Sequence, residues 1–446
     1  MTTAVRRAGA FAVVAAGSVI VPIADRLADP ALATVAGTAP FLLLAAAALR
    51  VVDSGVLFEL FARPGDRRDG RLYGLAGFAL AIAGLGLLAF QFDMPVAVPV
   101  AAAFVLGAGN LATHVVRGLG SDPFGATAGF VAAGSLAGVA GMLVSAAIAD
   151  GGVTLPETVF LAVSAALLGA LLRSVLFERD DPLVLVSIGL LLWLFSDLSI
   201  SVTSTGLAVA LAITIALGYV SYALETASLP GMLTGVFLSL LTIVVGDYGW
   251  FAMLITFFGG GGLASKFRYD EKVERGIAQE NEGARGSGNV LANSLVALVA
   301  VLAAAASPRL TGLAPEVFLY VFAGSVAAAM SDTLSSEFGG LYDAPRLITS
   351  FERVKPGTDG AITWQGELAG IAGATIIAAI ALLAFGTVGT VGAAAIVLSG
   401  FLGMTVDSLL GATLEGRWLG NQGVNFLATL VAGLVGGTLA LSGLVA

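Results

Sequence analysis

The chain has no cysteine, a single histidine (His114) and, among its 21 basic residues, only three lysines. The missing cysteine excludes disulfides, thiolate metal sites and a cysteine nucleophile, and one histidine leaves little basis for a histidine-built zinc centre. Any metal here is expected to be held by oxygen. Charge is scarce too: 11% of the 446 residues are Asp, Glu, Lys or Arg, against about a quarter in an ordinary soluble domain. With 58% hydrophobic residues and a mean hydropathy of +0.97, this is the composition of a polytopic membrane protein. The net charge of −9 argues against a nucleic-acid partner or a preference for anionic lipid. No cleavable signal is expected, because the first apolar run leads straight into others.

About 20 apolar residues cross a bilayer as a helix. Such runs lie near residues 8–24, 31–49, 72–90, 95–114, 124–149, 156–175, 182–200, 206–224, 228–245, 247–265, 288–306, 314–331, 364–385, 391–412 and 423–445. The expected fold is therefore all-α: a transmembrane helical bundle of about fifteen spans. Residues 1–200 and 201–446 are expected as two transmembrane domains. A loose internal correspondence links them, since Asn110 to Gly118 has the spacing of Asp332 to Gly340. With these spans, every basic residue except Arg26 and Arg309 falls on one side. The positive-inside rule then places the amino terminus and those loops in the cytoplasm, with the protein in the cell membrane.

Polar residues concentrate in the second half. Ionisable groups at membrane depth cost roughly 2.5–3.5 kcal/mol each, so their clusters are functional hypotheses by default. The stretch from Ser331 to Gly360 opens with Asp332, Ser335 and Ser336 on one helical face and Glu337 beside them, and it closes on Asp359. Arg285, Asn289 and Asn293 repeat at i, i+4 and i+8. Asp407 is expected in mid-span on a face smoothed by Gly400, Gly403 and Gly411, which admits a helix or a lipid tail. Asn421 and Asn425 lie one turn apart at the mouth of the last span. Carboxylate and amide oxygens of this kind suit Mg²⁺, and a proton or Na⁺ pathway uses the same residue types. The three lysines, Lys266, Lys272 and Lys355, all fall in the two long polar loops of this half, where a compact ammonium suits a phosphate. The Gly259 to Gly262 run before Lys266 is not a phosphate-binding P-loop, because its residues stand in the wrong order. In the first half, Asn110, His114 and Arg117 form a polar row at i, i+4 and i+7, and ERDDP (Glu178 to Pro182) precedes a span.

The segments ARGSGNVLAN, SDTLSSEFGG, PRLITSFERVKPGTDGAITWQGELAG, GFLGMTVDSLLGATLEG and GNQGVNFLATL resemble, in order and spacing, the motifs of the integral-membrane phytyl-phosphate kinases over residues 206–443. Asn289 departs from the Gln more usual there. The resemblance implies phosphoryl transfer from a nucleoside triphosphate, CTP among the candidates, to an isoprenyl monophosphate within the lipid bilayer. It implies catalytic roles for Asp332, Glu337, Asp359 and Asp407, with Asp332, Glu337 and Asp407 on Mg²⁺. Phosphates and substrate fall to Lys266, Lys272, Arg285, Asn289, Asn293, Arg346, Arg353, Lys355, Asn421 and Asn425. Residues 100–195 are similar to the CTP-dependent polyprenol kinases and cytidylyltransferases, with Asn110 where those carry Asp, which implies a degenerate copy without catalysis. A cytidylyltransferase acting on a lipid phosphate and a transporter or flippase are the rival readings.

Overall fold

The computed structural model describes residues 2–177, 180–198, 200–225, 227–278, 286–310 and 312–445. The chain divides into two compact units, Met1–Ala208 and Val209–Ala446. Among the described residues the regular structure, apart from one two-stranded hairpin, is helical. Fourteen helices among the described residues are long and apolar enough to cross a membrane. The run expected at 247–265 is a 19-residue helix, Tyr248–Lys266, but it is not one of the fourteen. Its opening Tyr248, Gly249 and Trp250 and its four consecutive glycines lower its mean hydropathy.

Five successive helices organise each unit. In the first they are α1 (Tyr73–Gln91), α2 (Ala97–Gly118), α3 (Pro123–Ala149), α4 (Leu155–Val175) and α5 (Asp181–Leu198). In the second they are α6 (Ser287–Leu310), α7 (Pro315–Gly339), α8 (Trp364–Ala384), α9 (Thr390–Thr413) and α10 (Asn421–Leu441). Within the first unit α2 packs against α1, α3, α4 and α5, while α3 meets α4, α4 meets α5 and α1 meets α5. The second unit repeats that pattern: α7 packs against α6, α8, α9 and α10, while α8 meets α9, α9 meets α10 and α6 meets α10.

Small residues make these contacts possible. Lipid tails are as apolar as leucine, so helices in a membrane associate through close packing and hydrogen bonds rather than through hydrophobic burial. A Cβ on Gly324 of α7 would lie 2.8 Å from the Ala432 carbonyl oxygen of α10, and one on Gly403 of α9 would lie 2.4 Å from Ala328 Cβ of α7. Helix α7 is consequently buried along most of its length, from Val317 to Leu334. Many hydroxyls inside the helices return to their own backbone, as Ser399 Oγ does to the Ala395 carbonyl at 2.8 Å and Thr405 Oγ1 to that of Phe401 at 2.8 Å. No polar donor is then stranded in hydrocarbon at those positions.

Candidate functional site

The polar residues of the second unit meet where the carboxyl ends of α7 and α9 face the amino ends of α6, α8 and α10. Helix α7 does not stop at residue 331 but runs two turns farther, to Gly339. Asp332, Ser335, Ser336 and Glu337 are therefore helical. Thr363, the N-cap of α8, ties the two helix ends together: its hydroxyl donates to the Gly339 carbonyl at 3.3 Å and accepts from the Gly366 amide at 3.1 Å.

Between these helices the chain forms a hairpin, with β1 (Arg346–Leu347) antiparallel to β2 (Ala361–Ile362) and Arg346 opposite Ile362. Its return strand is seated by Gly360, whose φ of +73° suits glycine. A Cβ there would come within 2.5 Å of the Ala412 amide nitrogen and the Ser408 carbonyl oxygen of α9. Only glycine fits, and the fit carries Asp359 to the wall of the site.

The result is a cavity of about 640 Å³. Its lining brings together Asn289, Asn293, Asp332, Glu337, Asp359, Asp407, Asn421 and Asn425, all named from sequence, with Ser335, Thr358, Thr363, Ser408 and Glu415 beside them. The side chains of Asp332 and Asp407 are in hydrogen-bonding contact. Asp407 Oδ1 is buried without a hydrogen-bond partner. Two carboxyls this close repel unless a proton or a cation lies with them. Asp407 stands six residues before the end of α9 rather than in mid-span.

The basic residues lie elsewhere. Among the described residues no lysine, arginine or histidine lines the cavity. Lys266 is exposed and donates to the Leu224 carbonyl at 3.1 Å. Lys272 is buried and paired with Glu337 Oε2 at 2.5 Å. Arg346 serves the hairpin, donating to the Phe351 carbonyl at 2.6 Å. Arg353 and Lys355 are exposed on the same loop, and Arg285 lies outside the described residues. Of the three lysines none lines the cavity, and Lys266 and Lys272 are held by partners within the chain. The glycine strip of α9 is likewise no tail groove: Cβ atoms on Gly400 and Gly403 would strike Ala327, Ala374 and Ala328, and Gly411 abuts the Gly360 backbone.

Sequence reasoning missed Glu415, although it stands next to last in GFLGMTVDSLLGATLEG and follows Asp407 and Gly411 at the i, i+4, i+8 spacing. Burial and then the negative charges of Asp359 and Asp332 push its carboxyl above the ordinary glutamate value of 4.5. No three Asp, Glu or His side chains, Glu337 included, come together as a ready metal set among the described residues. The Asp332 and Asp407 pair still fits Mg²⁺, which usually takes one or two carboxylates and fills its shell with water and substrate phosphate.

The first unit holds a polar cluster of another kind. Arg63 Nη2 pairs with Asp181 Oδ2 at 2.5 Å, in side chains 8% and 4% exposed. Arg173 approaches Asp181 Oδ1 at 3.4 Å and donates through Nε to Asn110 Oδ1 at 3.2 Å. These four residues, with His114 and Arg7, enclose about 20 Å³, room for roughly one water.

Helices of this length and composition, gathered around a pair of half-buried carboxyls, define a polytopic integral membrane protein. The chain belongs to the DUF92 family of integral membrane proteins, whose pattern it matches over residues 212–433. It is 38% identical to the uncharacterized membrane protein MJ0933 of Methanocaldococcus jannaschii, across 42% of this chain and 75% of the relative. It is 30% identical to Protein PGR of Arabidopsis thaliana, across 46% and 77%. With Protein VTE6, chloroplastic, of the same plant it shares 29% identity, across 42% and 56%. No solved structure matches. The family match contains every residue of the cavity and lies wholly in the second unit.

Proposed function

We propose that the chain is an integral-membrane kinase that moves the terminal phosphoryl group of a nucleoside triphosphate, CTP among the candidates, to an isoprenyl monophosphate of the phytyl or geranylgeranyl type. The observation that carries this reading is the contact of Asp332 with Asp407 on the wall of a cavity without basic side chains among its described residues. The motif series that resembles the phytyl-phosphate kinases supports it. A prenyl phosphate is already an oxyanion nucleophile, so no histidine or cysteine base is needed. A phosphate oxygen attacks the terminal phosphorus, the bond to the bridging oxygen breaks, and the nucleoside diphosphate leaves with the electron pair. Mg²⁺ held by Asp332 and Asp407 would supply the charge neutralisation that phosphoryl transfer requires. Asn289, Asn293, Asn421 and Asn425 offer neutral donors and acceptors that orient the substrates. Asp359 and Glu415 add negative charge, which keeps the phosphates dependent on the cation.

The first unit, in this reading, supports the fold and performs no chemistry, and the amino terminus and cavity face the cytoplasm. Cysteine-accessibility labelling of this cysteine-free chain tests the orientation: a cysteine in the 345–361 loop should react only from the cytoplasmic side. The decisive assay uses purified protein in detergent with CTP labelled at its terminal phosphate and geranylgeranyl or phytyl monophosphate. Label in the prenyl diphosphate is the expected outcome. Label in released pyrophosphate would make the protein a cytidylyltransferase, and no turnover together with substrate movement across liposomes would make it a transporter.

A further inference from the structure

Lys272 and Glu337 form an ion pair in side chains 1% and 5% exposed. The ammonium also donates to the carbonyls of Ala264 at 2.7 Å and Ser265 at 3.4 Å, so all of its donors are engaged inside the protein. It joins the short helix Tyr269–Glu274 to α7 and fixes the carboxylate in one orientation. Glu337 Oε1 is buried, has no hydrogen-bond partner, and belongs to a residue that lines the cavity. A buried acceptor without a donor is costly, and it calls for an occupant.

Chemistry limits that occupant from two sides. The charge of Glu337 is already matched by Lys272, so a divalent cation on Oε1 would share one carboxylate with an ammonium ion. Asp332 and Asp407 offer a cation two carboxyls in contact, with no basic side chain among the described lining. A phosphate oxygen would be repelled outright. What remains is a neutral group with a proton to give. We propose that Glu337 is not a metal ligand but a specificity-determining residue that accepts a hydrogen bond from the nucleotide, through a ribose hydroxyl or the exocyclic amine of cytosine. Lys272 is its positioning residue. The inference rests on the reading of the cavity as a nucleotide site.

The test is equilibrium binding of CTP, 2′-deoxy-CTP, 3′-deoxy-CTP and UTP to the full chain in detergent with Mg²⁺. The analogue lacking the recognised donor should bind about 10- to 100-fold more weakly than CTP, the range of one hydrogen bond to a charged acceptor. In the double variant Lys272→Met with Glu337→Leu, which removes both charges and keeps the packing, that analogue and CTP should bind alike. Mn²⁺ binding without nucleotide, followed by electron paramagnetic resonance, should be the same in the double variant as in the parent and weaker in Asp407→Asn. Equal binding of all four nucleotides to the parent chain would overturn the proposal, leaving Oε1 to water. A fall in Mn²⁺ affinity in the double variant would overturn it in favour of a metal ligand. Binding of no nucleotide at all would remove the kinase reading together with this one.

Discussion

The two units carry the same pattern of five helices and fill its centre in opposite ways. In each, the second helix bears a polar residue near its carboxyl end, Asn110 or Asp332. In each, the fourth helix reaches that residue, through Arg173 or Asp407, and the fifth begins with a polar side chain, Asp181 or Asn421. The first unit supplies its own counter-ions. Arg63 and Arg173 meet Asp181, Arg173 also meets Asn110, and only about 20 Å³ is left. The second unit sets one carboxyl against another and leaves about 640 Å³. A guanidinium that belongs to the chain neutralises a centre from within, whereas two facing carboxyls need a proton or a cation between them. On the proposed reading, the difference separates a structural centre from a binding one.

The sharpest way to break this comparison is to neutralise one acid in each centre. Asp332→Asn should lower turnover by at least ~10⁴-fold, a little over 5 kcal/mol at 1.36 kcal/mol per decade, the scale of losing a main charge stabiliser in phosphoryl transfer. Its melting temperature should hold or rise, because the substitution relieves a repulsive pair. An early-melting Asp332→Asn that keeps its rate would show the acid to be architectural. Asp181→Asn should do the reverse. Removing one partner of a buried ion pair costs about 3 to 5 kcal/mol of stability by stranding the other charge, here Arg63 and Arg173, while the surviving folded protein keeps its turnover. Turnover lost with the melting temperature intact would bring the first unit into the chemistry.

How much of this was legible in the sequence depended on side-chain length and on partners. Asp332, Asp407, Asn293 and Asn425 were readable because short side chains stay near their helix, so a face fixed by spacing fixes their destination. Lysines and arginines were not. Lys272 turns inward to a glutamate 65 positions away, and Arg346 folds onto its own hairpin, choices that depend on contacts no spacing encodes. The glycines of α9 announced a close approach but not by what, and Ala327, Ala374 and Ala328 answered as helix neighbours. Glu415 keeps the helical spacing of Asp407 and Gly411 but lies beyond Thr413, where α9 ends, so its place at the cavity depends on the turn that follows the helix.

The packing reading of that strip is tested by Gly403→Ala, which sharpens the comparison from the side of shape. A methyl 2.4 Å from Ala328 Cβ and 2.9 Å from Ala432 Cβ must move one of the helices, and overpacking of this sort typically costs about 1 to 3 kcal/mol. Stability should fall by that amount with no change in preference between short and long prenyl phosphates. A preference shifted towards short chains at unchanged stability would restore a tail groove along α9.

The smallest effect is expected from Glu415, and its sign follows from its surroundings. Burial first, then Asp359 and Asp332, hold its carboxyl above the ordinary value of 4.5, so the folded protein binds this proton more tightly than the unfolded chain does. A raised acid contributes stability that is fully present below the unfolded value and is lost as pH rises through the folded one. The protein should therefore lose a small increment of stability as pH climbs from about 4.5 towards neutrality without divalent cation, and Glu415→Gln should flatten that decline. Added Mg²⁺ should flatten it in the parent chain as well, since a cation in the cavity offsets the charges that repel the ionised form. Melting temperatures of the parent and Glu415→Gln across this range, with and without Mg²⁺, check both statements. A decline that persists unchanged in Glu415→Gln would move the source of the pH dependence to other groups. A decline that Mg²⁺ leaves untouched would mean that no cation settles among these acids, and the contrast between a self-closed centre and a cation-dependent one would fail where it began.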